Sequence, residues 1–105
     1  MRLGVFLALF GNQDLATTLD YVKKVGLDTV EVGTGNYPPD THCKPTDLLG
    51  NKDAQKRFLE EFEKRGIMIS ALSCHANAVH PDKKIAAEHA RIQRETIQLA
   101  GELGI

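Results

Sequence analysis

Glu31, His75 and Asn77 are the residues of this sequence whose types and placement could do chemistry together. A carboxylate beside an imidazole can position a hydroxyl, hold a proton or contribute to a metal shell. His75 closes the run from Ile67 to Pro81, Ile-Met-Ile-Ser-Ala-Leu-Ser-Cys-His-Ala-Asn-Ala-Val-His-Pro, which turns from apolar to small and polar along its length. His80 follows five residues later, a spacing that outside a helix is no recognised metal pattern. The same loop has a plainer use: Asn77 can bond its own backbone, and His80 can simply precede Pro81. Glu31 has one too, as a carboxylate that caps a loop or pairs with a lysine, although acids are disfavoured inside strands. A second group, Asn36, Tyr37, Asp40, His42 and Cys43, lies just after Glu31, where Tyr-Pro-Pro-Asp is equally a rigid turn.

The elements that must position these groups follow from periodicity. Leu3 to Phe10 is almost continuously apolar, as expected of a strand covered on both faces, with Phe6, Ala8 and Phe10 on one side. Asp14 is an N-cap signal for a helix running to about Val25, with Leu15, Leu19, Val22 and Val25 as its buried stripe. Leu27 to Gly33 reads as the second strand, with Val30 and Val32 on one face and Thr29, Glu31 and Gly33 on the other. Thr34 to Gly50 is long and punctuated by proline, a length that in compact domains is often functional. A second helix runs from Lys52 or Asp53 to Arg65 around Phe58, Leu59 and Phe62. In the third strand the alternation puts Met68 and Leu72 on one face and Ile69, Ala71, Ser73 and His75 on the other. Pro81-Asp82 opens a third helix with Ile85, Ile92, Thr96, Leu99 and Leu103 inside, and His89 reads as a partly buried residue of it.

Each unit is strand, loop, helix, glycine, and the junctions Val25-Gly26-Leu27, Arg65-Gly66-Ile67 and Leu103-Gly104-Ile105 repeat. Three such units give a right-handed parallel array. The sequence stops where a fourth strand should start, so truncation is expected; a complete small domain ending on a frayed helix is the other possibility.

Composition narrows the class. Lysine plus arginine number 13 against 14 acids, and no basic patch interleaved with aromatics appears, so no nucleic-acid surface is expected. No apolar run is long enough for a bilayer. The first ten residues mimic a short signal peptide but lack a small-residue cleavage site, and read as a strand. Two cysteines make no disulfide framework and point to a reduced, cytoplasmic setting. No nucleotide-type glycine loop, Cys-x-x-Cys or nucleophile elbow is present.

With these residues in view, the chain resembles the N-terminal part of the sugar phosphate isomerase/epimerase family, the xylose-isomerase-like TIM barrels. The matching pieces are Leu27-Asp28-Thr29-Val30-Glu31-Val32-Gly33, the loop Pro39-Asp40-Thr41-His42-Cys43, and above all the segment from Ile69 to Pro81. The resemblance implies an α/β fold in which residues 1–105 form a single partial domain. That domain is a parallel (βα)3 segment of a TIM (β/α)8 barrel, about three of its eight units. It implies a sugar or sugar phosphate as substrate, with Glu31, His75 and Asn77 on the substrate side beside the loop candidates Asn36 and His42. For the full-length family it implies a divalent metal, Mn, Mg, Zn or Co, held by carboxylates and a histidine of later strands. Nothing here matches those strands, so this segment is expected to hold no metal and to be inactive alone. Unpaired strand edges then lead to an expectation of self-association. The alternative is a stand-alone small α/β binding or assembly module without catalysis. An endonuclease-like member of the same superfamily is disfavoured by the near-neutral charge.

Overall fold

Side-chain caps start the three long helices, at Asp14 as the sequence predicts, at Asp82 and at Asn51. In this computed structural model, which describes residues 1–105, the Asp14 carboxylate accepts the Thr17 backbone N–H at 2.8 Å and starts α1, Leu15–Lys24. After a one-turn α2, Pro45–Leu48, Asn51 caps α3, Lys52–Glu63, and Asp82 caps α4, Lys83–Leu103. Each cap satisfies a backbone donor that a helix N-terminus leaves unpaired. Gly26, Gly66 and Gly104 end α1, α3 and α4 with φ of 84°, 64° and 74°. A β-carbon in that left-handed region costs about 1–2 kcal/mol, so the glycine junctions are backbone requirements.

Three strands, β1 (Gly4–Phe6), β2 (Thr29–Gly33) and β3 (Met68–Ser73), form one parallel sheet in the order β1-β2-β3. Successive crossovers of one hand place their helices on the same side of a sheet. The packing agrees. Val30 and Val32, fully buried, share one core with Leu19 and Val22 of α1, Phe58 and Phe62 of α3, and Leu99 and Leu103 of α4. Arg65 fastens α3 to α1, its Nε donating to Asp20 at 2.6 Å and its Nη1 to Glu61 at 2.8 Å.

The structure corrects the expected elements in four places. The first strand ends at Phe6, and Leu7–Phe10 forms a 3-10 turn. Leu7 and Phe10 are three apart, and that spacing eclipses side chains in a 3-10 turn. Leu7 is fully buried and Phe10 packs on the core, while Leu9 is exposed, so the parity of Phe6, Ala8 and Phe10 is lost. In β3 the register against β2 shifts between Val30 and Glu31, leaving Ser70 as an extra residue whose hydroxyl donates to the Val30 carbonyl at 3.0 Å. A bulge of one residue inverts the alternation. Ile69 therefore joins Leu72 on the core side, and exposed Met68 joins the side of Ala71 and Ser73. The second strand begins at Thr29 and not Leu27, so Glu31 sits at mid-strand. Finally, Val25 and Ile85, expected inside their stripes, are exposed. No helix is long and apolar enough to cross a membrane.

Candidate functional site

The face of the sheet turned away from the core carries Phe6, Thr29, Glu31, Gly33, Ala71 and Ser73. Toward the amino ends of the strands this face carries an open cavity of about 330 Å³ whose wall includes Arg2, Phe6, Thr29, Glu31 and Ser70. Glu31 lies opposite Ala71 in the register, and the next residue of that parity, Ser73, donates its hydroxyl to Glu31 Oε1. Ser73 is buried and Glu31 half-buried. The pair is therefore a carboxylate held in one orientation with a second oxygen left to accept from a ligand hydroxyl.

The carboxyl end of the sheet is knotted by Thr34. Its hydroxyl donates to the Ser73 carbonyl at 3.0 Å and lies 2.8 Å from the Thr96 hydroxyl of α4, all buried. Beyond it the chain folds back so tightly that a β-carbon on Gly33 would stand 2.6 Å from the Pro39 carbonyl oxygen. Asn36 then takes a left-handed φ of 63°, which asparagine tolerates better than most residues. Its amide donates to Cys74 Sγ at 2.9 Å and to the His89 carbonyl at 3.4 Å, and its Oδ1 is buried without a partner.

The residues expected from sequence separate into three places. Glu31 stands on the open face with Ser73, and Ser73 rather than His75 reaches its carboxylate. His75 is exposed, two residues past the end of β3, with its carbonyl accepting the Tyr37 N–H at 3.1 Å. Asn77 and Asn36 meet the same helix residue, His89, from the two rim loops. His42 lies apart, its Nε2 2.9 Å from the Gln13 carbonyl and 3.5 Å from the Thr18 hydroxyl, where it ties the long loop to the start of α1. In the sequence Ser73 shares the face of Ala71 with no role of its own, and Thr34, Thr96 and His89 carry no signal as parts of this end, since their partners lie tens of residues away.

Two cysteines remain free. Burial, with Asp40 adding to it, pushes the Cys43 thiol up to about 12, so it stays neutral and inert. Outside the rim, a cleft of about 310 Å³ between the long loop and α4 is lined by Asn36, Asp40, Lys44, Glu88, Arg91 and Glu95, among others. Arg91 is committed there to Glu88 at 2.6 Å and Glu95 at 2.5 Å, and its guanidinium holds the Glu88 carboxyl below its ordinary value. No group of three or more His, Cys, Asp or Glu side chains is placed to hold a metal ion.

No family model matches the sequence. The uncharacterized protein YfiH of Bacillus subtilis (strain 168) is 31% identical over 105 residues, which are the whole of this chain and 33% of that protein. Among solved structures, D-psicose 3-epimerase, crystallised in the presence of D-fructose, is similar to the whole chain with a TM-score of 0.62 at 18% identity. The match covers 35% of the epimerase chain. The chain thus spans about a third of the length of the relatives it matches. Its fold is a parallel (βα)3 segment of the TIM-barrel kind.

Proposed function

We propose that these residues are the opening three units of a sugar isomerase or epimerase barrel, and that they supply one wall of its substrate site. The observation that carries this is the Glu31 carboxylate, fixed by Ser73 on the helix-free face of the sheet. In a barrel, that face is the interior. The likeness to an epimerase crystallised with a ketohexose supports a sugar, free or phosphorylated, as the ligand class. Glu31 would accept hydroxyl protons of the sugar. His75, Asn77 and Asn36, on the loops past the strand ends, would close over it. Metal and proton-transfer groups would come from units beyond these three, and a divalent ion there would polarise the sugar oxygens. A reduced cytoplasmic setting fits the two free thiols.

By itself the segment is then a binding wall without turnover, and its free β1 and β3 edges draw copies together. Incubation with ketohexoses and Mn2+ is expected to yield no epimer, and sedimentation to show assemblies that grow with concentration. Epimer formed by the 105-residue chain, or a folded monomer at every concentration, contradicts the respective half of the proposal.

A further inference from the structure

His89 Nδ1 lies 3.2 Å from the Asn77 N–H and 3.3 Å from the Asn77 carbonyl. One ring nitrogen thus faces a donor and an acceptor of the same residue, and it can serve only one of them at a time. The other contacts of His89 reach the second rim loop. Its carbonyl accepts from Asn36 at 3.4 Å, and its ring meets Tyr37 edge-on with centroids 5.7 Å apart. The two loops also touch directly, through Tyr37 N–H to the His75 carbonyl. His89 is where α4, the loop after β2 and the loop after β3 come together.

We infer that His89 is the positioning residue of this rim, and that its protonation state selects how the Asn77 segment is held. In the neutral ring the Asn77 N–H selects the Nε2–H tautomer, whose bare Nδ1 accepts it, while the Asn77 carbonyl keeps the His80 N–H that lies 3.2 Å from it. In the imidazolium both ring nitrogens carry hydrogen, so Nδ1 donates to the Asn77 carbonyl instead and the Asn77 N–H loses its partner. The proton comes from solvent and forms the Nδ1–H bond; no other covalent bond is made or broken, and only the Asn77 group that is bound changes. Titratable groups stand on each of the three elements that meet at His89. Glu88 on α4 adjoins it, already paired with Arg91. Tyr37 comes from the loop after β2, and Cys74, His75, His80 and Asp82 lie in the loop after β3, where His80 Nδ1 accepts the Asp82 N–H at 3.0 Å. What the loops would cover rests on the proposed sugar site; the latch does not.

Nitrogen-15 spectra of the chain from about pH 5 to 8, the range in which imidazoles commonly titrate, separate these cases. The Asn77 and Tyr37 amide shifts are expected to follow the midpoint of the His89 ring. Asn77 amide exchange, corrected for its intrinsic pH dependence, is expected to rise about two- to tenfold on protonation, the effect of one lost hydrogen bond. His89→Phe keeps a ring against Tyr37 but removes Nδ1, and should abolish the titration of Asn77 while leaving its exchange fast throughout. His80→Gln should leave that titration in place. An Asn77 amide that is flat across the His89 midpoint, or that follows His80, overturns the inference even if His89→Phe fails to fold. Failure of sugars to bind leaves all these outcomes unchanged.

Discussion

Phe62→Ala lowers the free energy of unfolding by about 3–5 kcal/mol, read as a fall in the urea midpoint at constant slope. Phe62 is 2% exposed and stacks edge-on against Phe58 with centroids 5.0 Å apart. It lies in the single core that joins the sheet to all three long helices, so truncation removes contacts that its neighbours restore only in part. Close packing makes such a vacancy expensive, because the surroundings collapse only in part. Total stabilities of single domains are about 5–15 kcal/mol, so the loss is a large share of the whole. Tyr21→Ala, at an exposed position of α1, should move the midpoint far less. Equal effects from the two substitutions would mean that the core is not assembled as described.

Gly33→Ala is the second large effect, and it acts on the rim. The added β-carbon would meet the Pro39 carbonyl at 2.6 Å and Pro38 Cβ at 3.1 Å. Neither obstacle can rotate away, since one is backbone and the other belongs to a ring with fixed φ. The loop must lift off the end of β2 or the strand must shift, at a cost of about 1–3 kcal/mol. Lifting the loop also draws Asn36 from Cys74 and Tyr37 N–H from the His75 carbonyl, so the Tyr37 amide should lose protection with the stability. Gly101→Ala makes the contrast. Nothing lies within 4 Å of its β-carbon position in α4, and alanine there should stabilise by up to about 1 kcal/mol. A Gly33→Ala chain as stable as the parent, with Tyr37 still protected, would show that the loop does not press on β2.

What was legible in the sequence was whatever the chain decides locally. Asp14 and Asp82 act as caps through donors two or three residues away, and Gly26, Gly66 and Gly104 are required by their own φ. Periodicity then gave the order of strands and helices and the face on which Glu31 lies. It failed where one spacing serves two geometries. Leu7 and Phe10 satisfy a strand run and a 3-10 turn alike, and only burial of Leu7 decides between them. It failed again at Ser70, whose bulge depends on the register with β2 and leaves no mark in β3 itself. At the site, Glu31 could be read as an acid inside a strand. Its partner Ser73 and the Thr34–Thr96 knot are contacts 42 and 62 residues apart, and serine and threonine are too common to stand out. His89 was hidden for the same reason: its partners Asn36 and Asn77 are joined to it only by the fold.

Titration of the nitrogen-15 labelled chain with a ketohexose tests directly whether the helix-free face around Glu31 and Ser73 meets a sugar. Saturable shifts confined to the amides of Glu31, Ala71, Ser73 and the rim loops, and absent in Glu31→Gln, are the predicted result. Shifts that ignore Glu31→Gln, or that gather in the cleft between the long loop and α4 while the sheet face stays still, would contradict it.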